Sequence, residues 1–156
     1  MTAMMEFSDH ALVLKVGAFR EADAWVRLLS SSQGLFTAFA FGGLKSRRRF
    51  CGCLDALNHL LIRVGSSKGG QYLCLNEGVL LKSPSRLRHD PARMGMAANC
   101  LKFVEAVCGE TEGPEGMYEL VMEALEVLES QEQVSPFFPL LFRAKIVFCL
   151  GYAPDM

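Results

Sequence analysis

The sequence predicts an α+β chain: a five-stranded β-barrel of the OB type over residues 1–83, then a small three-helix bundle over 84–156. Three observations lead there. Five short strand-like runs follow one another before residue 83, joined by short polar turns with glycines at the bends, which is the pattern of a small barrel or sandwich. Composition then changes at Ser83-Pro84-Ser85, and apolar residues recur at helical spacing in three later segments. The charge also changes sign. Residues 1–93 carry 13 Lys and Arg against 7 Asp and Glu, while 94–156 carry 3 against 10, so halves of +6 and −7 hide within a net charge of −1. A barrel of this kind commonly binds oligonucleotides on one face, and the basic half is the one suited to a polyanion.

Met1 to Ser8 reads as a frayed lead-in. His10 to Phe19 alternates well enough for a first strand, with Leu12, Leu14 and Val16 on one face and Val13 and Lys15 on the other. Arg20-Glu21-Ala22-Asp23 is a polar turn into the second strand, Ala24 to Ser30, in which Trp25 and Arg27 share a face. Ser31 to Gly34 is a hairpin loop whose glycine suits a positive φ. Leu35 to Phe41 is the third strand, with Phe39 and Phe41 on the side of Leu35. The apolar pattern of Leu54 to Val64 would also serve a short helix. Its exit, Gly65-Ser66-Ser67-Lys68-Gly69-Gly70, reads as a mobile hairpin loop and favours a strand. Gln71 to Lys82 is the fifth strand, with Gly78 marking a bulge or bend.

In the second part, Asp90 before Pro91 fits an N-cap followed by proline in the first turn. Met94, Ala97, Ala98, Leu101, Val104 and Val107 then recur at helical spacing. Residues 109–116 form a linker. Met117 to Leu128 is amphipathic, with Glu119, Glu123 and Glu126 towards water. Phe137 to Leu150 is a more apolar third helix, and Gly151 is placed to cap it.

Several function classes find no support. The apolar stretches are broken well short of the roughly 18 residues that span a bilayer, and the N-terminus lacks signal-peptide order, so the chain reads as cytoplasmic. Six cysteines, at 51, 53, 74, 100, 108 and 149, show no paired metal-ligand spacing. Cys51 and Cys53 would share one strand face, and all six read as reduced and mostly buried, with no metal site. His10, His59 and His89 have no partner acid at fixed spacing, and His59 reads as a core or sheet-face residue rather than a base. Neither Gly42-Gly43 nor Gly69-Gly70 continues into a P-loop or a dinucleotide-binding pattern. No catalytic constellation and no cofactor are expected.

Binding has more to stand on. Gly42-Gly43-Leu44-Lys45-Ser46-Arg47-Arg48-Arg49-Phe50 puts four cations in five residues between two strand-like segments. Such a flexible basic loop can follow a phosphate backbone, since each paired cation releases condensed counterions. The plain alternative is a solvated tip that blunts a sheet edge. Arg20 and Arg27 add cations from the same segment. Bases of a single strand stack on exposed aromatics, for which Phe50 and Trp25 are the candidates, whereas Phe39 reads as core.

The run Ala11-Leu12-Val13-Leu14-Lys15-Val16, then Glu21 and Asp23, Leu28-Leu29-Ser30, Gly34, and Ala40 through Phe50 resembles the N-terminal barrel of the RecO family of DNA repair and recombination mediators. Leu87-Arg88-His89-Asp90 and Leu150-Gly151-Tyr152-Ala153-Pro154-Asp155 continue the resemblance to the end of that family's helical core. It implies a non-enzymatic bacterial protein, nucleoid-associated, that binds single- and double-stranded DNA and anneals complementary strands. Its partners would be RecR and the acidic C-terminal tail of the single-stranded-DNA-binding protein, and through them it would help load the RecA recombinase. Lys45, Arg47, Arg48 and Arg49 match the family's DNA-contacting loop. Arg143 and Lys145, on the last helix, are the nearest candidates for the partner surface.

Departures stand beside the match. Phe41 occupies a place usually taken by Lys or Arg, and Leu54-Asp55-Ala56-Leu57 replaces the family's Leu-Gln-Pro-Phe. Family members continue past the position of Met156 into a further helical region that often carries a cysteine zinc site, so a shortened form, or a piece of a longer chain, is expected. Two functions follow: a DNA-binding recombination mediator, or an adaptor that docks the single-strand binder's tail or RecR with little DNA binding of its own.

Overall fold

The structure is a computed structural model and describes residues 5–108 and 116–151. The chain divides into two compact units between Ser83 and Pro84. In the first unit, strands β1 (Glu6–Ala18), β2 (Ala24–Ser30), β3 (Gly34–Ala40), β4 (His59–Ser66) and β5 (Leu73–Lys82) close in the order β1-β2-β3-β5-β4. Closure needs one parallel contact, Ala38 with Leu73 and Phe39 with Cys74; every other pairing is antiparallel. This is the five-stranded OB-type barrel the sequence predicts.

The barrel interior is filled by Val13, Val26, Leu28, Leu60, Ile62, Val64 and Leu75, with the small Ala11, Ala24, Ala38 and Ala40 between them. One helical turn, α1 (Arg47–Phe50), follows β3 and sends Phe50 into the same core. Strict alternation along β1 fails at Leu14. Val13 pairs with Leu28 and Lys15 with Arg27, so a bulge at Leu14 turns both Val13 and Val16 inward. The backbone of Leu57 and Asn58 docks onto this bulge: Leu57 N–H donates to the Val13 carbonyl at 2.7 Å, and Val13 N–H to the Asn58 carbonyl at 2.9 Å. Leu57 takes a φ of 71° to do so. The expected strand from Leu54 therefore starts only at His59. Its first apolar residues serve a turn. Nor are Glu6, Phe7 and Ser8 frayed, since they pair with Gly65, Val64 and Arg63 of β4.

In the second unit, the three expected helices are α3 (Pro91–Cys108), α4 (Met117–Ser130) and α5 (Phe138–Cys149), preceded by a short α2 (Ser85–His89). Asp90 caps α3, accepting from Ala92 N–H at 3.0 Å and Arg93 N–H at 3.3 Å, and the backbone bond from Arg93 heads the interactions that hold its carboxyl below the ordinary range. The buried stripe of α3 is Ala97, Cys100, Leu101, Val104 and Cys108, while Ala98 and Val107 face solvent. Glu119, Glu123 and Glu126 of α4 are exposed as expected. Gly151, at φ 85°, closes α5 with its N–H on the Phe148 carbonyl at 3.0 Å. No helix among the described residues is long and apolar enough to cross a membrane.

All six cysteines are free, but only Cys53, Cys100 and Cys108 are buried. Cys51 and Cys53 lie in a turn rather than on a strand, and Cys51 ends α1 at a φ of 48°. The expected linker up to residue 115, the lead-in residues 1–4 and the closing residues 152–156 lie outside the described residues.

Candidate nucleic-acid interface

The basic run begins where β3 ends. Gly42 takes a φ of 69°, and its N–H donates to Asp23 Oδ1 at 2.7 Å. At Gly43 a Cβ would stand 2.7 Å from the Ala40 Cβ, so only glycine fits. Both Lys45 and Ser46 N–H close onto the Gly42 carbonyl, and Leu44 N–H bonds the Ala22 carbonyl at 3.0 Å. Ser46 then caps α1, its Oγ accepting from Arg49 N–H and Nε at 3.3 Å each. The expected flexible loop is thus a hydrogen-bonded turn followed by a capped helical turn. Phe50 fixes it from below: its ring is wholly buried in the barrel, and a Cβ on Gly78 would stand 3.5 Å from it. Phe50 is therefore not available to stack on a base.

That frame sorts the four cations. Arg47 and Arg48 are exposed and make no side-chain hydrogen bond or ion pair among the described residues. Lys45 is paired with Glu21 at 3.3 Å, with both side chains largely in water, and such a pair contributes less than about 1 kcal/mol. Arg49 is committed to the frame. It donates to the Phe41 carbonyl, and its guanidinium lies 5.1 Å from the Phe50 ring centre. Arg20 reaches over the Phe19 ring at 5.4 Å and stands 3.9 Å from Asp23, still well exposed. Arg27 donates to Thr37 Oγ1 at 3.1 Å across β2 and β3. Trp25 is half-buried. Its indole occupies the space above Gly17, where a Cβ would lie 2.2 Å from Cε2.

The sequence reading missed an aromatic group on the outside of the barrel. Ala38 and Ala40 take the inward positions of β3, so Phe39 points outward instead of into the core. Around it stand Phe19, from the β1–β2 connection, with ring centres 5.3 Å apart, and Tyr72, from the β4–β5 connection, at 5.5 Å. Phe41 completes the group, 6.1 Å from each of Phe19 and Tyr72. Phe19, Phe41 and Tyr72 are each 37–42% exposed. The signal was present in Ala38-Phe39-Ala40-Phe41, where small residues alternate with aromatics. Taking the bulky set for the core inverted the face.

His59 is half-buried on the sheet face, 5.7 Å from His10. Burial, His10 and Lys82 all hold its imidazole below the usual range. In the helical unit the two expected partner cations diverge. Arg143 bonds Asn99 Oδ1 at 2.5 Å and covers the Phe103 ring at 5.3 Å, both on α3. Lys145 pairs with Glu123 at 3.5 Å and lines a groove of about 170 Å³ between α4 and α5, with Leu120, Val127, Phe138 and Leu141 among its walls.

Two family models cover nearly all of the chain: Recombination protein O N terminal over residues 4–84 and Recombination protein O C terminal over residues 88–156. Among similar proteins are those named DNA repair protein RecO from Oleidesulfovibrio alaskensis, 57% identical over 97% of this chain, and from Nitratidesulfovibrio vulgaris, 54% identical over 96%. A more distant one from Syntrophotalea carbinolica is 31% identical over 98%. The chain spans 61%, 60% and 59% of these relatives' own lengths. With both of its parts matched in order, the chain belongs to the RecO family.

Proposed function

We propose that this chain is the DNA-handling part of a recombination mediator without catalytic activity: it binds single- and double-stranded DNA and anneals complementary strands. With RecR and the tail of the single-stranded-DNA-binding protein, it helps load RecA on coated strands. The observation that carries this reading is the pair Arg47 and Arg48, exposed and without a partner among the described residues, on a helical turn anchored to the barrel by Phe50. Phosphate contacts of this kind supply affinity without base preference. Both strands of an annealing pair can then be held whatever their sequence. The relatives' name, DNA repair protein RecO, supports the same role.

Annealing of two complementary labelled strands, followed by energy transfer, tests the reading. The chain should accelerate the reaction at low salt, and Arg47→Ala with Arg48→Ala should remove most of the acceleration. A wild-type chain that leaves the annealing rate unchanged would contradict it. The α4–α5 groove favours a second reading, an adaptor for an acidic, apolar peptide such as the single-strand binder's tail. Lys145 would meet its carboxylates, and Leu120 and Phe138 its apolar side chains. In that case the chain would bind the peptide and not bare DNA.

A further inference from the structure

We propose that Phe19, Phe39, Phe41 and Tyr72 form a stacking platform for unpaired bases, which gives the barrel a preference for single-stranded over duplex DNA. The proposal rests on the DNA-binding reading above and adds to it a base-contacting surface. Four rings from three separate elements, the β1–β2 connection, the end of β3 and the β4–β5 connection, meet with centres 5.3–6.4 Å apart. In five-stranded barrels of this type those two connections and the neighbouring strand face take oligonucleotides. An apolar group of this kind on a lone surface invites a partner, and its surroundings say which. Arg20 lies over the Phe19 ring, and Arg49 binds the Phe41 carbonyl, at the foot of the turn that presents Arg47 and Arg48. Cations at the margin of exposed rings match a ligand that alternates phosphate and π-face.

The rings also have room to act. Phe39 and Phe41 are near-parallel, 24° apart, and each receives T-shaped contacts from Phe19 and Tyr72. Beyond Tyr72 the platform runs into a cleft of about 390 Å³, lined by Lys68, Ser66 and Asn76 as well as Tyr72 itself. Lys68 is exposed there, in position for the phosphate of a neighbouring nucleotide. Phe41 then has a role of its own. It offers a ring, 37% exposed, for stacking that only an unpaired base can accept, because duplex bases are already stacked on one another.

The test uses the whole chain and fluorescence anisotropy with three labelled probes: a mixed-sequence single strand, a duplex of the same length, and a single strand of abasic sites. Phe41→Ala and Tyr72→Ala should each weaken single-strand binding on the order of tenfold, leaving duplex affinity and the salt slope unchanged. The abasic strand should bind the wild type at least as weakly as the intact strand binds either variant. Phe41→Trp should retain single-strand affinity, which separates lost stacking from lost folding. The fluorescence of Trp25, the chain's single tryptophan and the register neighbour of Phe39, should change on binding the intact strand and not the abasic one. Equal losses on all three probes, or unchanged affinity in both alanine variants while the wild type binds with a normal salt slope, overturn the platform and leave the DNA reading standing. A wild type that binds none of the probes overturns both. A dimer that falls to monomer on Phe41→Ala, with DNA affinity unaltered, overturns the platform and assigns the face to self-association.

Discussion

Phe50 and Arg49 are adjacent and have opposite duties. Phe50 is an interior residue that happens to end a basic run, and Arg49, bonded to the Phe41 carbonyl, is a strut of the turn. A count of cations ranks all four alike; their partners leave Arg47 and Arg48 as the ones free to meet a phosphate. Cys100 shows the same dependence on place. It is 2% exposed on α3, and burial pushes its thiol up to about 11 from an ordinary 9.0. The folded chain therefore holds that proton more tightly than the unfolded chain. The resulting stability is complete below pH 9 and is lost as pH rises from about 9 to 11. Over that interval the melting temperature of the wild type should fall more steeply than that of Cys100→Ala. The difference amounts to no more than roughly 2–3 kcal/mol, and parallel curves would show that Cys100 does not titrate in this way.

At the scale of elements, Arg93 is the link within the helical unit. It is 6% exposed, and its guanidinium spans Asp90 at 3.1 Å, the Leu128 carbonyl at 2.5 Å and the Glu132 carbonyl at 2.9 Å. It thus joins the start of α3 to the Leu128 carbonyl in the last turn of α4, where helical carbonyls lack an intrahelical partner, and to the Glu132 carbonyl just past the helix end. Arg93→Ala should cost roughly 2–3 kcal/mol in chemical denaturation. Arg93→Lys should recover little, because an ammonium cannot span three acceptors with a planar fork. Full stability in the alanine variant would show these hydrogen bonds to be incidental.

Nothing in the sequence pointed to Arg93 as a link between helices, since only Asp90 is near it in the chain and its two carbonyl partners lie 35 and 39 residues away. What was legible was local: the strands through Ser30 and Ala40, the Asp90 cap, the three long helices and the Gly151 stop. What was not legible depended on closure. Leu54 to Asn58 read as strand because its leucines are apolar, yet Leu57 is there to dock on the Leu14 bulge. The basic run read as a loop because a four-residue helix is too short to show a period. Its Ser46 cap and buried Phe50 make sense only once the barrel exists. The cations of the candidate site could be named from sequence, and the outward ring group beside them could not.

For the whole molecule, charge and architecture coincide. Residues 1–83 hold 10 Lys and Arg against 6 Asp and Glu, and 84–156 hold 6 against 11, so the barrel unit is the positive one. The exposed glutamates of α4 would repel a polyanion, so under the proposed function DNA belongs to the barrel unit and protein partners to the helical one. The central claim, a phosphate-binding barrel centred on the α1 turn, is tested most directly by the salt dependence of single-strand affinity. Fluorescence anisotropy would be measured for the wild type and for the chain with Arg47 and Arg48 both changed to Ala, which leaves the Arg49 strut in place. Affinity should fall steeply with salt in the wild type, with a slope shallower by about 0.7 for each phosphate that the variant leaves unpaired. The same slope and affinity in both chains would contradict it.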